Sequence, residues 1–436
     1  MTLALACNCR KIAAGCQSPS PRVRAPLSPE NAPFGPNLRL LVVTPFLPDV
    51  QAAHGGGMYV GALCRALATH AELGLAALLH KDEDSHLQRE RLPFQWLTTT
   101  RLPQRPRGLA KRRHQIGMLW RWGVCGMPLV AAKHLTTEFH GVLDRAVAEF
   151  QPDAVLIELA QMAQYLPHFS TLPTVLTDHE AGMPANARTQ LGAIADRRDA
   201  RLWRRYVHRF YPQASLLQAV TTEDAQLLST QLGLPVATRH AVIDIPRRPV
   251  APHTAPQRAL FLGDYSHFPN REAAAILTRE VLPLLRAQVP TVELWFAGPN
   301  ADRLQGIGNV KGVHVVGYVA SLTALFGQVR VMLAPTFSGS GFRVKCLTAL
   351  AHGLPVITNT LGARGCSAPS PACTIEDDMK SLAGATLRLL QDPQSASQAG
   401  SLGYAWAQQN LVAETVAAEQ IERIRTLIAR GPRAKS

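Results

Sequence analysis

Residues 331 to 362, VMLAPTFSGSGFRVKCLTALAHGLPVITNTLG, constrain the fold more than any other stretch of the chain. Val331 to Pro335 form a short apolar run suited to a central parallel strand, and Gly339, Ser340 and Gly341 let the backbone turn with its N–H groups free. A helical pattern then starts near Phe342 and ends before a second strand, LPVITN, at 354 to 359. That is the outline of one βαβ unit with a phosphate-sized loop inside it. Arg343 and Lys345 follow the turn directly. A glycine turn that feeds a helix N-terminus offers unpaired amide donors and the positive end of the macrodipole, and two cations beside it favour a doubly charged ligand such as a diphosphate. Taken alone, the loop reads first as an ordinary strand-to-helix turn with solvated cations; the flanking sequence favours the ligand.

The same alternation runs through the rest of the chain. LRLLVVTP from Leu38 is a buried strand, followed by a loop with Gly55, Gly56 and Gly57 and the helical pattern GMYVGALCRALATH. DAVLIEL (153 to 159), TVLTDHE (174 to 180) and SLLQAVTT (215 to 222) read as strands separated by helical patterns such as HGVLDRAVAEF. After the proline-rich segment IPRRPVAPHTAPQ the strands resume as RALFLG, TVELWFAG, VHVVGYV, VMLAP and LPVITN, with helices beginning near Asn270, Ser321 and Phe342. Strands that alternate with helices imply parallel sheets covered on both faces. The expected architecture is α/β: two Rossmann-like doubly wound domains, 38–244 and 258–403, joined by a stiff hinge at 245–257 and facing a central cleft. Ligands of such sheets bind at the carboxyl ends of the strands. One long amphipathic helix is expected within 404–436, packed across the cleft, and residues 1–37, rich in Pro, Ser and Asn, are expected to form a disordered tail.

Composition removes several classes. At 436 residues and 47% hydrophobic the chain can fill two cores, and no apolar run reaches the roughly 18 residues needed to span a bilayer. LALAC near the N-terminus is too short for a signal core and no basic residue precedes it, so the chain is expected to be cytoplasmic, either free or peripheral at the inner membrane. Most of the eight cysteines are scattered in apolar or helical segments typical of reduced thiols, and Cys7, Cys9 and Cys16 lack a fourth ligand for a metal. The net charge of +14 is concentrated in two clusters, Arg101 to Arg121 and Arg197 to Arg209, each interleaved with aromatics. An anionic membrane surface and a solvated helix face with inward rings both account for them. Nucleic acid ranks last, because the chain shows no recognition motif.

These motifs resemble one family. The second half is similar to the nucleotide-sugar-binding domain of retaining glycosyltransferases of the GT-B fold, family 4 group, of the bacterial exopolysaccharide type. The resemblance rests on LFLGDYSHFPNREAA, with Gly263 closing a strand and Asn270 opening a helix, and on WFAGPN. It extends to the turn Gly317, Tyr318, Val319, which in the family borders the nucleobase, and to GSGFRVKCLTALAHGLPVI. In the first half it rests on Gly55 to Gly57, on Thr177, Asp178 and His179, and on Thr222, Glu223 and Asp224. The similarity covers roughly residues 38 to 425.

The resemblance implies transfer of a sugar from a nucleoside diphosphate sugar, with retention, to a saccharide or lipid-linked acceptor in cell-surface polysaccharide synthesis. Arg343, Lys345, the amides of Ser340, Gly341 and Phe342, and the Gly56–Gly57 loop would neutralise the leaving diphosphate. His179 corresponds to the family histidine that contacts the transferred sugar, and Glu158, at another strand end, is a lesser candidate. No cofactor beyond the co-substrate is expected, and no metal: Glu376, Asp377 and Asp378 read as a helix cap. One departure matters. The two glutamates of the family pattern fall here on Ser340 and Thr348, and a threonine offers a ribose one neutral contact in place of a charged bidentate acceptor. A catalytically degenerate partner protein is therefore the alternative.

Overall fold

Among the described residues thirteen short strands build two sheets, and every pair within them is parallel. The structure is a computed structural model and describes residues 38–50, 52, 55–80, 83, 89–102, 109–181, 191–338 and 343–431. The expected tail at 1–37, with Cys7, Cys9 and Cys16, lies outside the described residues.

The first sheet has the order β3-β2-β1-β4-β5-β6-β7. Its strands are β1 (Arg39–Thr44), β2 (Glu72–Leu79), β3 (Trp96–Arg101), β4 (Ala154–Glu158), β5 (Thr174–Asp178), β6 (Leu216–Ala219) and β7 (Ala237–Thr238). The second has the order β10-β9-β8-β11-β12-β13. It consists of β8 (Arg258–Leu262), β9 (Glu293–Ala297), β10 (Val313–Gly317), β11 (Val331–Leu333), β12 (Val356–Thr358) and β13 (Cys373–Ile375). β4 and β5 are buried at every position, as befits apolar runs covered on both faces. In each sheet the strand order reverses once, between β1 and β4 and between β8 and β11, and such a switch point opens a crevice at the carboxyl ends.

The helices of the first half are α1 (Gly55–Leu67), α2 (Leu109–Gly123), α3 (Leu129–His134), α4 (Thr137–Arg145), α5 (Ala193–Phe210) and α6 (Thr222–Leu232). Those of the second are α7 (Phe268–Ile276), α8 (Leu282–Gln288), α9 (Leu322–Phe326), α10 (Val344–Ala351), α11 (Met379–Gln391), α12 (Pro393–Asn410) and α13 (Ala413–Arg430). The glycines expected as a loop are helical: Gly55 to Gly57 form the first turn of α1. β2, β3, β7 and β13 were not expected. β2 reads ELGLAALL, whose Leu and Ala favour a helix by propensity, and parallel pairing with β1 on one side and β3 on the other makes it a strand.

The C-terminal segment also differs from its expectation. It forms two helices, broken at Leu411 and Val412, and the first begins at Pro393, where the Asp392 side chain accepts from the amides of Gln394 and Ser395. α13 returns to the first sheet. Val416, Ile421 and Ile424 join the core cluster of Leu40, Leu63 and Leu73, the amide of Gln218 donates to Gln420 at 2.9 Å, and Arg423 donates to the carbonyl of Thr238. The proline-rich 245–257 segment is fastened to the second half: Val250 N donates to His352 O at 2.7 Å and Tyr404 donates to Pro246 O.

Candidate active site

Glu158 closes β4 and His179 follows β5, its neighbour, so parallel pairing brings the two side chains together. The Nε2 of His179 lies 2.8 Å from Glu158 Oε2. Arg239, just after β7, reaches the same carboxylate from the other side, with Nη1 donating to Oε1 at 2.6 Å and Nη2 to Oε2 at 2.8 Å. Its Nη1 also donates to Thr177 Oγ1 and its Nε to the Tyr59 hydroxyl. Glu158 and Arg239 are each 1% exposed, so this is a buried ion pair with its hydrogen bonds satisfied. Burial opposes the charged form of Glu158, yet the Arg239 charge, the bonds from Arg239 and the bond with His179 hold the carboxyl down at about 2. An ionised carboxylate only accepts, so His179 donates its Nε2 proton to it, and the Tyr59 ring packs edge-on against the imidazole.

The second group of side chains surrounds the start of α10. Lys345 Nζ donates to Asn270 Oδ1 at 2.8 Å and stands 4.1 Å above the Phe261 ring. Asn270 donates in turn to the Asp264 carbonyl. Close approach explains the neighbouring glycines: a Cβ on Gly263 would fall 2.7 Å from Asn270, and one on Gly298, at φ +127°, 2.1 Å from the Gly263 carbonyl. Burial lowers Lys345 to about 7, and the Arg343 charge acts in the same direction. Arg343 itself is lowered by burial.

The first turns of α1 and α10 meet, since a Cβ on Gly55 would lie 3.2 Å from the Cβ of Val344. Two helix N-termini and two cations thus converge at one point, an arrangement suited to an anion. The two halves touch elsewhere as well. Arg364 donates to Asp224 at 2.9 Å across them. Glu180, beside His179, is raised to about 7 by burial and by the Asp178 charge, with Arg343 opposing the rise and Asp224 adding to it.

The structure therefore brings together Gly263, Asn270 and Lys345, sets the start of α1, with Gly56 and Gly57, against the start of α10, and pairs His179 with Glu158. Gly317 adjoins the same group, since the Gly298 amide donates to its carbonyl at 2.7 Å. Gly317, Tyr318 and Val319 lie at the carboxyl end of β10, the edge strand, with Tyr318 61% exposed. Thr348 is 2% exposed, and its hydroxyl donates to the Val344 carbonyl one turn back. Ser340, Gly341 and Phe342 lie outside the described residues. Asp378 caps α11, accepting from Lys380 N and Ser381 N, while Asp377 binds Thr360. Arg239, Glu180 and Arg364 were missed. For Arg239 a signal existed: it is the only formal charge in the otherwise apolar and polar run from Ala225 to Ile243.

Two Rossmann-like parallel-sheet domains whose helix N-termini meet define the GT-B architecture. Residues 256–392 match the family of glycosyl transferases group 1. No protein in a curated set matches the sequence. Among solved structures, sucrose-phosphate synthase from Thermosynechococcus elongatus is similar at TM-score 0.64 and 18% identity, over 90% of this chain and 100% of that one. TarM is similar at 0.61 and 8% identity, over 88% and 98%. HepE from Anabaena, solved in complex with UDP and glucose, is similar at 0.59 and 14%, over 88% and 99%.

Proposed function

We propose that the protein is a glycosyltransferase that moves a sugar from a nucleoside diphosphate sugar to a saccharide or lipid-linked acceptor in cell-surface polysaccharide synthesis, with retention and without a metal or further cofactor. The observation that carries this reading is the meeting of the first turn of α1 with that of α10 beside Arg343 and Lys345, where α10 and both cations lie within the residues that match glycosyl transferases group 1. UDP bound in HepE, a protein of the same fold, supports the class of donor.

The leaving group of such a transfer is a diphosphate, and catalysis needs fixed positive charge where its negative charge grows. Lys345, resting on the neutral Asn270 amide, takes up a full proton when the dianion arrives, and Arg343 stands two residues away. His179 is oriented by Glu158 and Arg239: with its Nε2 proton committed to the carboxylate, Nδ1 is the ring nitrogen left to meet a sugar hydroxyl.

A second reading, the degenerate partner, draws on Thr348. A hydroxyl that donates along its own helix replaces the carboxylate the family uses toward ribose. Calorimetric titration with UDP, GDP and ADP and their common sugars, in EDTA, separates the two. Saturable binding of one nucleotide followed by turnover of its sugar is the expected result; no binding at millimolar ligand would establish the partner reading.

A further inference from the structure

The face built by α2 and α5 takes no part in the proposed reaction. No acidic residue occurs between Glu90 and Glu138, an interval that contains the whole of α2. α2 exposes Ile116 (65%), Leu119 (51%) and Trp120 (57%), with Val124 (58%) just past its end. Single exposed apolar residues are ordinary, but four within one short stretch mark a contact surface. α5 supplies the charge, with Arg197, Arg198, Arg201, Arg204, Arg205 and Arg209 all exposed, and Ile194 in its first turn 86% exposed.

The two helices form one surface. Arg198 Nη2 donates to the Gly123 carbonyl at 2.6 Å, its guanidinium stacks 4.8 Å from the Trp122 ring, and Trp122 Nε1 donates to Asp199 at 2.9 Å. Two shallow hollows open on it. One, of about 350 Å³, is lined by Ile194, Arg197, Arg198 and Arg201, and the other, of about 310 Å³, has Val124, Arg205 and Arg209 at its rim.

We propose that this face docks on an anionic phospholipid bilayer. Ile116, Leu119, Trp120 and Ile194 enter the headgroup and acyl boundary, and the exposed α5 arginines around the two hollows meet lipid phosphates. The mixture of side chains selects this occupant. Nucleic acid complements the arginines alone and leaves Ile116, Leu119 and Ile194 in water, whereas a bilayer surface takes both sets at once. The inference stands independently of the donor chemistry, because none of these residues contributes to the proposed active site.

The test is co-sedimentation of the full chain with vesicles of phosphatidylcholine alone and of phosphatidylcholine mixed with phosphatidylglycerol. Binding is expected to the anionic vesicles only and to weaken as salt rises. Reversal of two charges, Arg201→Glu with Arg205→Glu, should cut the partition constant by at least about tenfold, since each lost basic contact costs roughly fivefold. Trp120→Ser with Ile194→Ser should weaken binding while the thermal midpoint is kept, because both side chains are exposed. Equal binding to both vesicle types, no binding to either, or tighter binding to duplex DNA or RNA at the same salt would overturn the proposal. So would a dimer at micromolar concentration that both double variants dissolve.

Discussion

The two halves of the molecule treat buried charge in opposite ways. In the first, Arg239 meets Glu158 through two parallel hydrogen bonds and reaches Thr177 and Tyr59 with its remaining reach, so the charge is answered from within the protein. In the second, Lys345 leans on a neutral amide, and its proton affinity falls to about 7. A charge matched by an opposite charge supports the scaffold, and one matched only by a neutral amide and a ring face is poised for a ligand of opposite sign. In the proposed reaction the pair at Glu158 would orient His179, and Lys345 would meet the leaving diphosphate.

The strongest way to break this comparison is to delete Arg239. Arg239→Met leaves the Glu158 carboxylate buried beside a single imidazole, and urea unfolding should show a loss of about 3–5 kcal/mol. Adding Glu158→Gln to Arg239→Met should recover part of that loss. A neutral Arg239→Met would mean that the pair holds nothing together.

Lys345→Ala should do the reverse, leaving stability unchanged or slightly raised while weakening nucleotide binding by roughly 10- to 100-fold, the worth of a hydrogen bond to a charged group. Calorimetry with the nucleotide identified above reads it. Unaltered affinity would remove Lys345 from the diphosphate site.

The pH dependence of stability sharpens the contrast. Glu180, raised to about 7, binds more protons folded than unfolded between about pH 4.5 and 7, so its contribution falls as pH rises through that window. Lys345, lowered from 10.5 to about 7, is protonated in the unfolded chain and not in the folded one between those values, so its contribution rises with pH above 7. The two together place a shallow minimum near pH 7 in the denaturation midpoint. Glu180→Gln should flatten the acid side and Lys345→Met the alkaline side, and a curve indifferent to both variants would contradict these assignments.

The smallest effect is expected at Thr348. Because its hydroxyl donates to Val344 O, Thr348→Val should cost under about 1 kcal/mol and leave nucleotide affinity unchanged. A tenfold drop in affinity would show that the hydroxyl turns to the ribose when donor binds.

Legibility in the sequence followed the range of the interactions. β1, β4, β5, β8, β11 and β12 were readable because each is a short apolar run between turn residues and largely buried, and β9 and β10 were readable from their apolar runs although β10 is exposed along most of its length. β2 was hidden by a composition that suits a helix, and β3, half exposed along its length, lacks the apolar run altogether. Asn270 and Lys345 were readable through motifs, though their bond spans 75 residues. Arg239 was not, since its partners lie 81 and 180 residues away, on β4, which β5 and β6 separate from β7, and on helix α1, and only the packing of the whole first sheet delivers them. The break at Leu411 was invisible for another reason: Leu and Val continue the amphipathic pattern, and the turn follows from packing, with Leu411 itself sunk in the first core.

That return of the chain has a consequence for the order in which the protein is made. Val416, Ile421 and Ile424 complete the core laid down by β1, β2 and α1, so the domain of the first sheet, synthesised before the second, stays unfinished until α13 has left the ribosome. The domain made second closes its own core before that helix and reaches a finished state earlier, so synthesis begins with one domain and maturation with the other.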